Sequence, residues 1–462
     1  MACLSAIVYN IWMARNYAFW FKAVLRPDLL SKGVKKEVII RCQQMINHTW
    51  KIEDCLGFPE PFLEGTRDLF DLVLMLKEIN STSVTLVPKT KSPTSVTEFK
   101  PIACFNVLYK CISKVLCDRL KQMLPFLIAE NQSAFVHSRY IVHNVMVCQD
   151  LVRHYGRSGA CPSCLIKLDL KKAYDTVEWD FIEEMMQELN FPRHFVKLIM
   201  ICVISPRFSL MINGSLHGYF QSKRGLRKGD PLSPLLFVLC IEYLSRILKI
   251  ISLKTDYSFH PRCKAARLTH LCFADDLILC CKGDEDVIKE ILQITGFTRG
   301  RLPFRYLGVP ICSKRISAVE CENLIDRMFS KIRTWSSKNL SFAARVTLIN
   351  SVLLSIQVYW AHIMIIPKAI FDKIKVICRN FLWNGSLHHK ACYIALNDIC
   401  KTKAAGGLGI QDAETWNTAA HGKNVWDIAQ KKENLWIRWV NSVYLKGKNW
   451  FDYKLQADAS WY

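Results

Sequence analysis

The acidic residues best placed for chemistry stand at the ends of apolar strands. Asp169 closes the apolar run that begins at Cys164, and Asp275 and Asp276 interrupt the apolar stretch Leu268–Cys281. Burying an ionised carboxylate is costly unless the group is paired or bound to a metal ion. A plain hairpin tip favours Asn-Gly or Asp-Gly over two carboxylates between apolar flanks. The pattern therefore predicts a site for hard divalent cations, with turn caps or arginine partners as the alternative interpretation.

A glycine-rich basic loop separates these acidic segments in the sequence. It reads RGLRKGDPLSP over residues 224–234 and leads into an apolar helix, so its backbone N–H groups are candidates to meet a phosphate or a base pair. Together the parts suit phosphoryl transfer with two metal ions, which activate a 3′-hydroxyl and stabilise the leaving pyrophosphate. Mg²⁺ is the predicted cofactor because it takes few carboxylates and completes its shell with phosphate oxygens, and Mn²⁺ is the alternative.

Composition narrows the class of partner. Across 462 residues, 62 Lys and Arg against 40 Asp and Glu give a formal charge of +22, which predicts nucleic acid or an anionic membrane surface as partner. A hydrophobic fraction of 51% excludes a wholly disordered chain. Twenty scattered cysteines and no basic signal-peptide start predict reduced thiols in a nuclear or cytoplasmic, non-secreted protein. Polar residues interrupt the apolar segment Val346–Ile366, which is interpreted as a buried helix rather than a membrane span.

Hydrophobic periodicity and turn residues predict the elements that must hold these groups. Alternation and β-branching predict a strand at Ser81–Pro88, and Asn213-Gly214 predicts a hairpin turn. Asp175, with Glu178 three residues on, is predicted to cap a helix that ends near Leu189. Further strands are predicted at Cys164–Asp169 and on both sides of Ala274–Asp276, and helices at Asn106–Leu124, from Ser233 to Leu248 and over most of the chain after Val319.

These segments, in this order, resemble the reverse transcriptase of plant LINE-type, non-LTR retrotransposons, in a rearranged or degenerate copy. The similarity runs from about Ser81 to Cys281 and resumes from Leu302 to about Trp450. It is carried by TLVPK, FKPIACFNVLYKCISKVL, ENQSAFV, KLDLKKAYDTVEWDF, NGSLHGYF, RGLRKGDPLSPLLF, FADD, LPFRYLGVP and GGLGI. The resemblance implies an α+β fold, a right-hand polymerase palm and fingers with an α-rich thumb.

The same resemblance implies a domain order. Residues 1–50 are expected to form a helical N-terminal segment, similar to the C-terminal tail of related elements, and residues 51–68 a linker. Residues 69–311 are expected to form the reverse transcriptase fingers and palm. Residues 312–462 are then the helical thumb and C-terminal region.

Carried over by position, the family's motifs imply roles for particular residues. Asp169 and Asp275 would hold the two Mg²⁺ ions, and Asp276 would support the site. Tyr174 would exclude a ribose 2′-hydroxyl and so select deoxynucleotides, with a packed palm side chain as the alternative. Nucleotide binding is implied for Lys89, Lys100, Lys228 and Gly229, and a primer grip for Leu307 and Gly308. For the first two lysines, an ordinary solvated surface is the alternative. The implied partners are template RNA, a DNA primer and deoxynucleoside triphosphates, with no membrane.

Three departures from the family pattern bear on activity. Lys228 replaces the usual Gln, Lys100 replaces the usual Arg, and a palm block after Cys281 is reduced to Lys282–Arg301. The sequence therefore leaves two principal functions open: an RNA-directed DNA polymerase, or a non-catalytic descendant that binds nucleic acid. An intron-encoded maturase and a membrane protein are further alternatives, and the GGLGI and FRYLGVP segments favour the retroelement.

Overall fold

The computed structural model describes most of the chain that follows the first 79 residues. The described residues are 80–153, 155, 162–170, 172–255, 257–283, 285–336, 340–386, 394, 396–448, 450 and 453. The predicted helical segment 1–50 and the linker 51–68 lie outside them.

Strands and helices alternate at first, and helices dominate towards the C-terminus. The strands are β1 (Ser81–Pro88), β2 (Phe99–Phe105), β3 (Cys164–Asp169), β4 (Arg207–Ile212), β5 (Ser215–Gln221), β6 (His270–Phe273), β7 (Asp276–Cys281), β8 (Phe304–Tyr306) and β9 (Val309–Ile311). The helices are α1 (Val107–Leu127), α2 (Ile141–Leu151), α3 (Trp179–Glu188), α4 (Arg193–Ile204), α5 (Ser233–Ile251), α6 (Glu285–Thr295), α7 (Glu322–Ser336), α8 (Phe342–Leu348), α9 (Leu354–Ile363), α10 (Lys368–Asn384), α11 (Leu396–Ile399), α12 (Ala413–Ala429) and α13 (Leu435–Val440). This content confirms the predicted mixed α+β class.

The chain divides into two compact units that interleave along the sequence. Unit 1 lies within Met1–Leu127 and Lys172–Cys240, and unit 2 within Ile128–Lys171 and Ile241–Tyr462. The predicted domain boundaries after residues 68 and 311 stay predictions.

Unit 1 contains a mixed sheet with the strand order β2-β1-β4-β5. β1 pairs antiparallel with β2 and parallel with β4, and β4 and β5 form the hairpin predicted from Asn213-Gly214. Both turn residues have positive φ, 50° and 84°, as tight two-residue hairpin turns favour. In α1, Leu116, Leu120 and Leu124 repeat every fourth residue and are fully buried, which gives the helix its inner face.

The prediction that Asp175 caps the following helix is wrong. Asp175 ends a short 3₁₀ turn, and α3 begins only at Trp179, with Glu178 in the N-cap position and no side-chain cap. The Asp175 carboxylate instead pairs with Lys228, with 2.9 Å between Oδ2 and Nζ. A cationic donor makes a stronger, charge-assisted hydrogen bond than a backbone N–H, and this partner is 53 residues away, beyond the reach of a local cap pattern.

Unit 2 contains the antiparallel sheet β3-β7-β6 and the C-terminal helices. β6 and β7 are the two strands predicted around Ala274–Asp276, and β3 is the predicted Cys164–Asp169 strand. The sheet packs with α2 and the later helices around one hydrophobic core. Its members include Leu151, Leu271, Ile278, Tyr306, Met328, Trp360, Phe381 and Trp439.

The short segment that replaces the family's palm block folds as a helix beside β3. α6 is amphipathic but buries none of its residues, and Ile294 is 77% exposed. α6 and the loop after it enclose a cavity of about 520 Å³ against β3, lined in part by Cys164, Lys167 and Arg299. In the described sheet, β3 is an edge strand.

One helical stretch in the described part of the chain, Phe342–Ile363, is long and apolar enough to cross a membrane. It comprises α8, a π-helical turn and α9, and its buried residues Leu353 and Trp360 belong to the core of unit 2. Its polar Asn350 is satisfied by protein: Nδ2 donates to the Gly409 carbonyl and Oδ1 accepts from the Gln411 N–H, at 3.0 and 3.1 Å.

Candidate active site

The strand register brings the acidic residues of unit 2 together. Asp169 is the direct partner of Asp276 across β3 and β7. Asp275 lies in the two-residue turn between β6 and β7, next to Ala274, whose φ is +54°. Directly opposed residues of antiparallel strands project to the same face of the sheet. Asp169 and Asp276 therefore share a face, with Asp275 adjoining them.

The environment of the cluster raises the pKa of Asp276, first through burial and then through its acidic neighbours. Burial raises the pKa of Asp276, and the negative charges of Asp275 and Asp169 raise it further, whereas Lys167 lowers it. Lys167 stands two residues before Asp169 on β3 and so on the same face. Its Nζ donates to the Arg305 carbonyl at 2.9 Å. Lys167 is absent from the predicted site residues, although the period of two along β3 points to it.

The donor set fits a hard divalent cation. Mg²⁺ usually takes one or two carboxylates from the protein and completes its shell with water and substrate phosphates. Burial is the main cause of the raised pKa of Asp276, and a cation held by Asp169 and Asp275 would neutralise the smaller part that their negative charges add. Among the described residues, no group of three or more His, Cys, Asp and Glu side chains forms a metal site.

A buried glutamine from a distant part of the chain holds the turn that carries Asp275. Gln132 is fully buried and forms a parallel bridge with Cys272. Its Oε1 accepts from the backbone N–H groups of Ala274 and Ala134, at 3.2 and 2.9 Å. Ala274 has a left-handed φ, a conformation that costs an L-residue about 1–2 kcal/mol. Gln132 therefore stabilises a strained turn, and sequence reasoning missed it.

His270 on β6 is buried, with both ring nitrogens in hydrogen bonds. Asn131 Nδ2 and Ser245 Oγ lie 2.6 and 3.0 Å from Nε2, and Thr269 Oγ1 lies 2.8 Å from Nδ1. Because an amide nitrogen only donates, Nε2 must accept from Asn131, which requires a neutral ring. Burial lowers the pKa of His270 to about 4.

We expect acid to destabilise the protein through His270. In the unfolded chain the ring has a pKa of 6.5, so between about pH 6.5 and pH 4 it is protonated while the folded ring stays neutral. The contribution of His270 to the free energy of unfolding is therefore fully present above about pH 6.5 and is lost towards pH 4. The loss is about 3 kcal/mol. Urea denaturation at about pH 7.5 and about pH 4.5 measures it, and His270→Gln is expected to lose about 2–3 kcal/mol less than wild type between them. An equal loss in both proteins would contradict the assignment.

In unit 1, a buried ion pair fixes the basic loop before α5. Arg227 and Asp230 are 7% and 5% exposed, and Nη2 lies 2.9 Å from Oδ2. The Tyr109 hydroxyl donates to the same carboxylate oxygen, and the Arg227 guanidinium lies 4.3 Å from the centre of the Tyr109 ring. Asp230 Oδ1 also accepts from the Leu232 N–H at 3.0 Å. Arg227 therefore shapes the loop and is not an exposed phosphate ligand.

The start of this loop is tied to the turn that contains Tyr174. The Gly225 N–H donates to the Val177 carbonyl at 2.8 Å, and the Leu226 N–H to the Tyr174 carbonyl at 2.7 Å. Gly225 has φ +88°, and a Cβ there would lie 2.9 Å from the Asp175 carbonyl oxygen, so only glycine fits. Two N–H groups of the predicted phosphate-binding loop thus already have protein partners.

The predicted nucleotide-binding residues of unit 1 fall into two groups, of which the first surrounds this loop. Tyr174 stacks on Phe237 with ring centres 4.8 Å apart, which is the packed arrangement that the sequence leaves open as an alternative. Lys228, 46% exposed, pairs with Asp175. Gly229, with φ +91°, lies against the Phe105 ring. Their roles towards a nucleotide stay predictions.

Lys89 and Lys100, the second group, lie at one end of the β1–β2 hairpin. Lys100 pairs with Val87, and the Lys89 N–H donates to the Glu98 carbonyl at 2.8 Å. Both lysines are exposed, and Lys89 Nζ donates to the Thr97 carbonyl at 2.9 Å. The β1–β2 hairpin thus places Lys89 and Lys100 near each other. Their contact with a triphosphate stays a prediction.

Leu307 and Gly308, in unit 2, form the two-residue turn between β8 and β9. Their φ values are +49° and +86°. The Tyr359 hydroxyl of α9 donates to the Leu307 carbonyl at 2.8 Å and so anchors the turn. Gly308 is exposed, and the predicted primer grip stays a prediction.

The family comparison covers most of these residues. Residues 87–299 match the family described as reverse transcriptase (RNA-dependent DNA polymerase). This span includes the acidic cluster, Tyr174 and the basic loop, whereas the β8–β9 turn lies beyond it.

Several curated proteins are similar over parts of the chain. A putative ribonuclease H protein of Arabidopsis thaliana is 28% identical over 158 residues, 33% of this chain and 26% of that protein. The transposon TX1 uncharacterized 149 kDa protein of Xenopus laevis is 26% identical over 345 residues, 65% and 26% of the two chains. The retrovirus-related Pol polyprotein from type-2 retrotransposable element R2DM of Drosophila melanogaster is 27% identical over 194 residues, which are 42% of this chain and 17% of that protein. The chain thus spans about a quarter or less of the length of these relatives.

The matched family, the relatives and the mixed α+β architecture agree with one another and confirm the predicted polymerase fold. Residues 87–299 of this chain are similar to the reverse transcriptase (RNA-dependent DNA polymerase) family, and parts of the chain are similar to proteins of the TX1 and R2DM elements.

Proposed function

We propose that this chain extends a DNA primer on template RNA by nucleotidyl transfer, with Asp169 and Asp275 as the ligands of two Mg²⁺ ions and Asp276 in support. The observation that carries the proposal is the β3–β7 register, which sets Asp169 opposite Asp276 and beside the Asp275 turn. When bound, the ions would activate the primer 3′-hydroxyl and stabilise the leaving pyrophosphate.

In this proposal, other side chains of the protein balance the charge of the acidic cluster and position the nucleotide. Lys167 offsets the negative charge of the acidic cluster, as its effect on the pKa of Asp276 indicates. Tyr174, held in orientation by its stack on Phe237, excludes a ribose 2′-hydroxyl. Because catalysis of phosphoryl transfer rests on positioning and charge neutralisation, no nucleophilic side chain is needed.

The remaining predicted residues would hold the substrates. Lys89, Lys100, Lys228 and Gly229 would contact the incoming nucleotide, and Leu307 and Gly308 the primer end. To contact a nucleotide, Lys228 must first release Asp175. The Lys228–Asp175 ion pair is exposed, and pairs of this kind stabilise a protein by about 1 kcal/mol or less.

The proposed partners follow from charge and family. Template RNA, a DNA primer and deoxynucleoside triphosphates are polyanions, and the chain carries a formal charge of +22. No membrane partner is proposed. The Arabidopsis thaliana relative supports a plant origin. The described cysteines are free thiols, which supports a nuclear or cytoplasmic location.

A non-catalytic nucleic-acid-binding remnant is the second candidate function. The observation that favours it is the short segment after β7, whose helix α6 buries no residue and leaves β3 at the edge of the described sheet. Such a protein would bind RNA in a salt-sensitive way, because each phosphate contact releases counterions, but would not extend a primer.

Primer extension by the purified full chain separates the two candidates. The assay supplies a primed RNA template, Mg²⁺ and either deoxynucleotides or ribonucleotides. We expect elongation with deoxynucleotides. Salt-sensitive RNA binding without elongation would reject polymerase activity and leave the binding function.

Gln132 gives a sharper test of how the site is built. We expect Gln132→Ala to lower primer extension by about 10- to 100-fold, because the Asp275 turn loses its anchor and misplacement by about 1 Å costs about 10²-fold. The matched control is Gln149→Ala, which removes a second buried glutamine whose amide bonds both backbone groups of Cys312. Both variants are expected to lose stability to a similar extent, because each removes two hydrogen bonds to buried backbone groups. Equal loss of activity would therefore show that Gln132 has no specific positioning role.

A further inference from the structure

Two partly exposed cysteines face each other at the far end of the β3–β7 ladder. Cys164 and Cys281 are direct register partners. Opposed residues of antiparallel strands have Cα atoms about 4.5–5.5 Å apart, within the range of about 4.4–6.8 Å that a disulfide requires. Directly opposed residues of antiparallel strands project to the same face of the sheet, so the two thiol groups lie side by side.

The surroundings of Cys164 favour its thiolate. The hydrogen bond from Cys281 lowers the pKa of Cys164 to about 7, and the same contact raises the pKa of Cys281. Cys164 also lines the cavity beside α6, whose walls include Lys167, Arg299 and Arg301. The cavity gives a small polar reagent access to this sulfur.

The neighbouring thiols lack these properties. Cys280 and Cys263 are fully buried, 1% and 0% exposed, and the pKa of Cys280 is raised. Of these three thiols, Cys164 is therefore the one that an oxidant can reach, and its register partner Cys281 is the resolving thiol. In the described part of the chain, no group of three or more His, Cys, Asp and Glu side chains forms a metal site that would occupy this pair instead.

We propose that Cys164 and Cys281 form an oxidisable dithiol site that closes to a cross-strand disulfide under a two-electron oxidant such as hydrogen peroxide. The Cys164 thiolate attacks one peroxide oxygen, the O–O bond breaks, and the released hydroxide takes a proton to become water. The Cys281 sulfur then displaces the hydroxyl of the sulfenic acid, its thiol proton leaving with that oxygen as a second water. Each sulfur loses one electron, and the peroxide is reduced to two waters.

The dithiol site is independent of the proposed polymerase function. Cys164 and Asp169 stand at opposite ends of β3, five residues or about 17 Å apart. The disulfide joins strands whose pairing is already set by the ladder, so it forms without rearranging the acidic cluster. A test on thiol chemistry alone therefore leaves the polymerase proposal untouched, whichever way it turns out.

Peptide mapping of the full chain tests the proposal. The reduced protein is treated with a small excess of hydrogen peroxide, blocked with iodoacetamide, digested and analysed by mass spectrometry with and without dithiothreitol. We expect a linked pair of peptides containing Cys164 and Cys281 that dithiothreitol separates. Before oxidation, at pH 7, we expect Cys164 to react with iodoacetamide about tenfold or more faster than the exposed Cys104.

Variants make the assignment specific. Cys281→Ser is expected to leave Cys164 as a sulfenic acid that dimedone traps, whereas Cys111→Ser, at an exposed position, keeps the linked pair. Linkage of Cys164 to Cys161, which stands three residues earlier in the sequence, would overturn the proposal. So would recovery of Cys164 and Cys281 as separately alkylated peptides after oxidation, a result that needs no variant to fold.

Discussion

Asp275→Asn is expected to abolish primer extension, with a fall of about a thousandfold or more. The substitution keeps the shape of the side chain but removes one of the two carboxylate charges that, in our proposal, hold the ions. A thousandfold fall corresponds to about 4 kcal/mol of transition-state stabilisation, a magnitude typical of a lost electrostatic contact to the reacting groups. Single-nucleotide extension under saturating primer and template measures the effect, with circular dichroism as the check on folding.

Companion variants distinguish a shared site from independent contributions. Asp169→Asn is expected to match Asp275→Asn, and the double variant to be no worse than either, because ligands of one site act as a unit. Asp276→Asn is expected to cost only about tenfold, since Asp276 supports the site without holding an ion in the proposal. Elongation that persists in Asp275→Asn would show that another centre performs the chemistry.

Asp150→Ala is expected to give the largest loss of stability, about 3–5 kcal/mol. The Asp150 carboxylate is fully buried and accepts from Trp439 Nε1 at 2.7 Å and from the Tyr444 hydroxyl at 2.6 Å. It also pairs with Arg262, with 3.3 Å between Nη1 and Oδ1. Truncation leaves the guanidinium without its counter-charge, and it leaves the buried Trp439 N–H and the partly buried Tyr444 hydroxyl without this acceptor. Urea denaturation and amide hydrogen exchange in α2 measure the loss.

An exposed carboxylate of the same unit provides the control for this prediction. Asp286 is 91% exposed and pairs with Lys289 within α6. Exposed pairs of this kind contribute about 1 kcal/mol or less, so Asp286→Ala is expected to stay close to wild type. A loss of similar size in both variants would contradict the view that Asp150 links α2 to the C-terminal helices.

Local sequence patterns predicted the strands that carry the acidic cluster. The apolar run ending in Asp169, the apolar strands around Ala274–Asp276 and the Asn213-Gly214 turn each encode their structure within a few residues, and β3, β6, β7 and the β4–β5 hairpin follow them. The matching family confirms the polymerase domain. These successes share one cause, since backbone periodicity and turn chemistry act over short distances.

Long-range partners account for what the sequence did not foretell. Gln132 bonds to the Ala274 N–H across 142 positions, and Lys228 draws Asp175 away from its predicted cap across 53 positions. Arg227, which belongs to the basic loop, is buried against Asp230 and the Tyr109 ring. Pairings of this kind depend on the assembled fold and leave no periodic signal in the chain.

Mn²⁺ binding, followed by electron paramagnetic resonance, tests the central claim most directly. Mn²⁺ reports its ligands without requiring turnover, and it binds the same oxygen donors as Mg²⁺. With primer–template and a non-hydrolysable deoxynucleotide present, we expect wild type to bind two ions, and Asp169→Asn and Asp275→Asn each to lose at least one of them. Equal Mn²⁺ binding by all three proteins would show that these two carboxylates do not share a metal site.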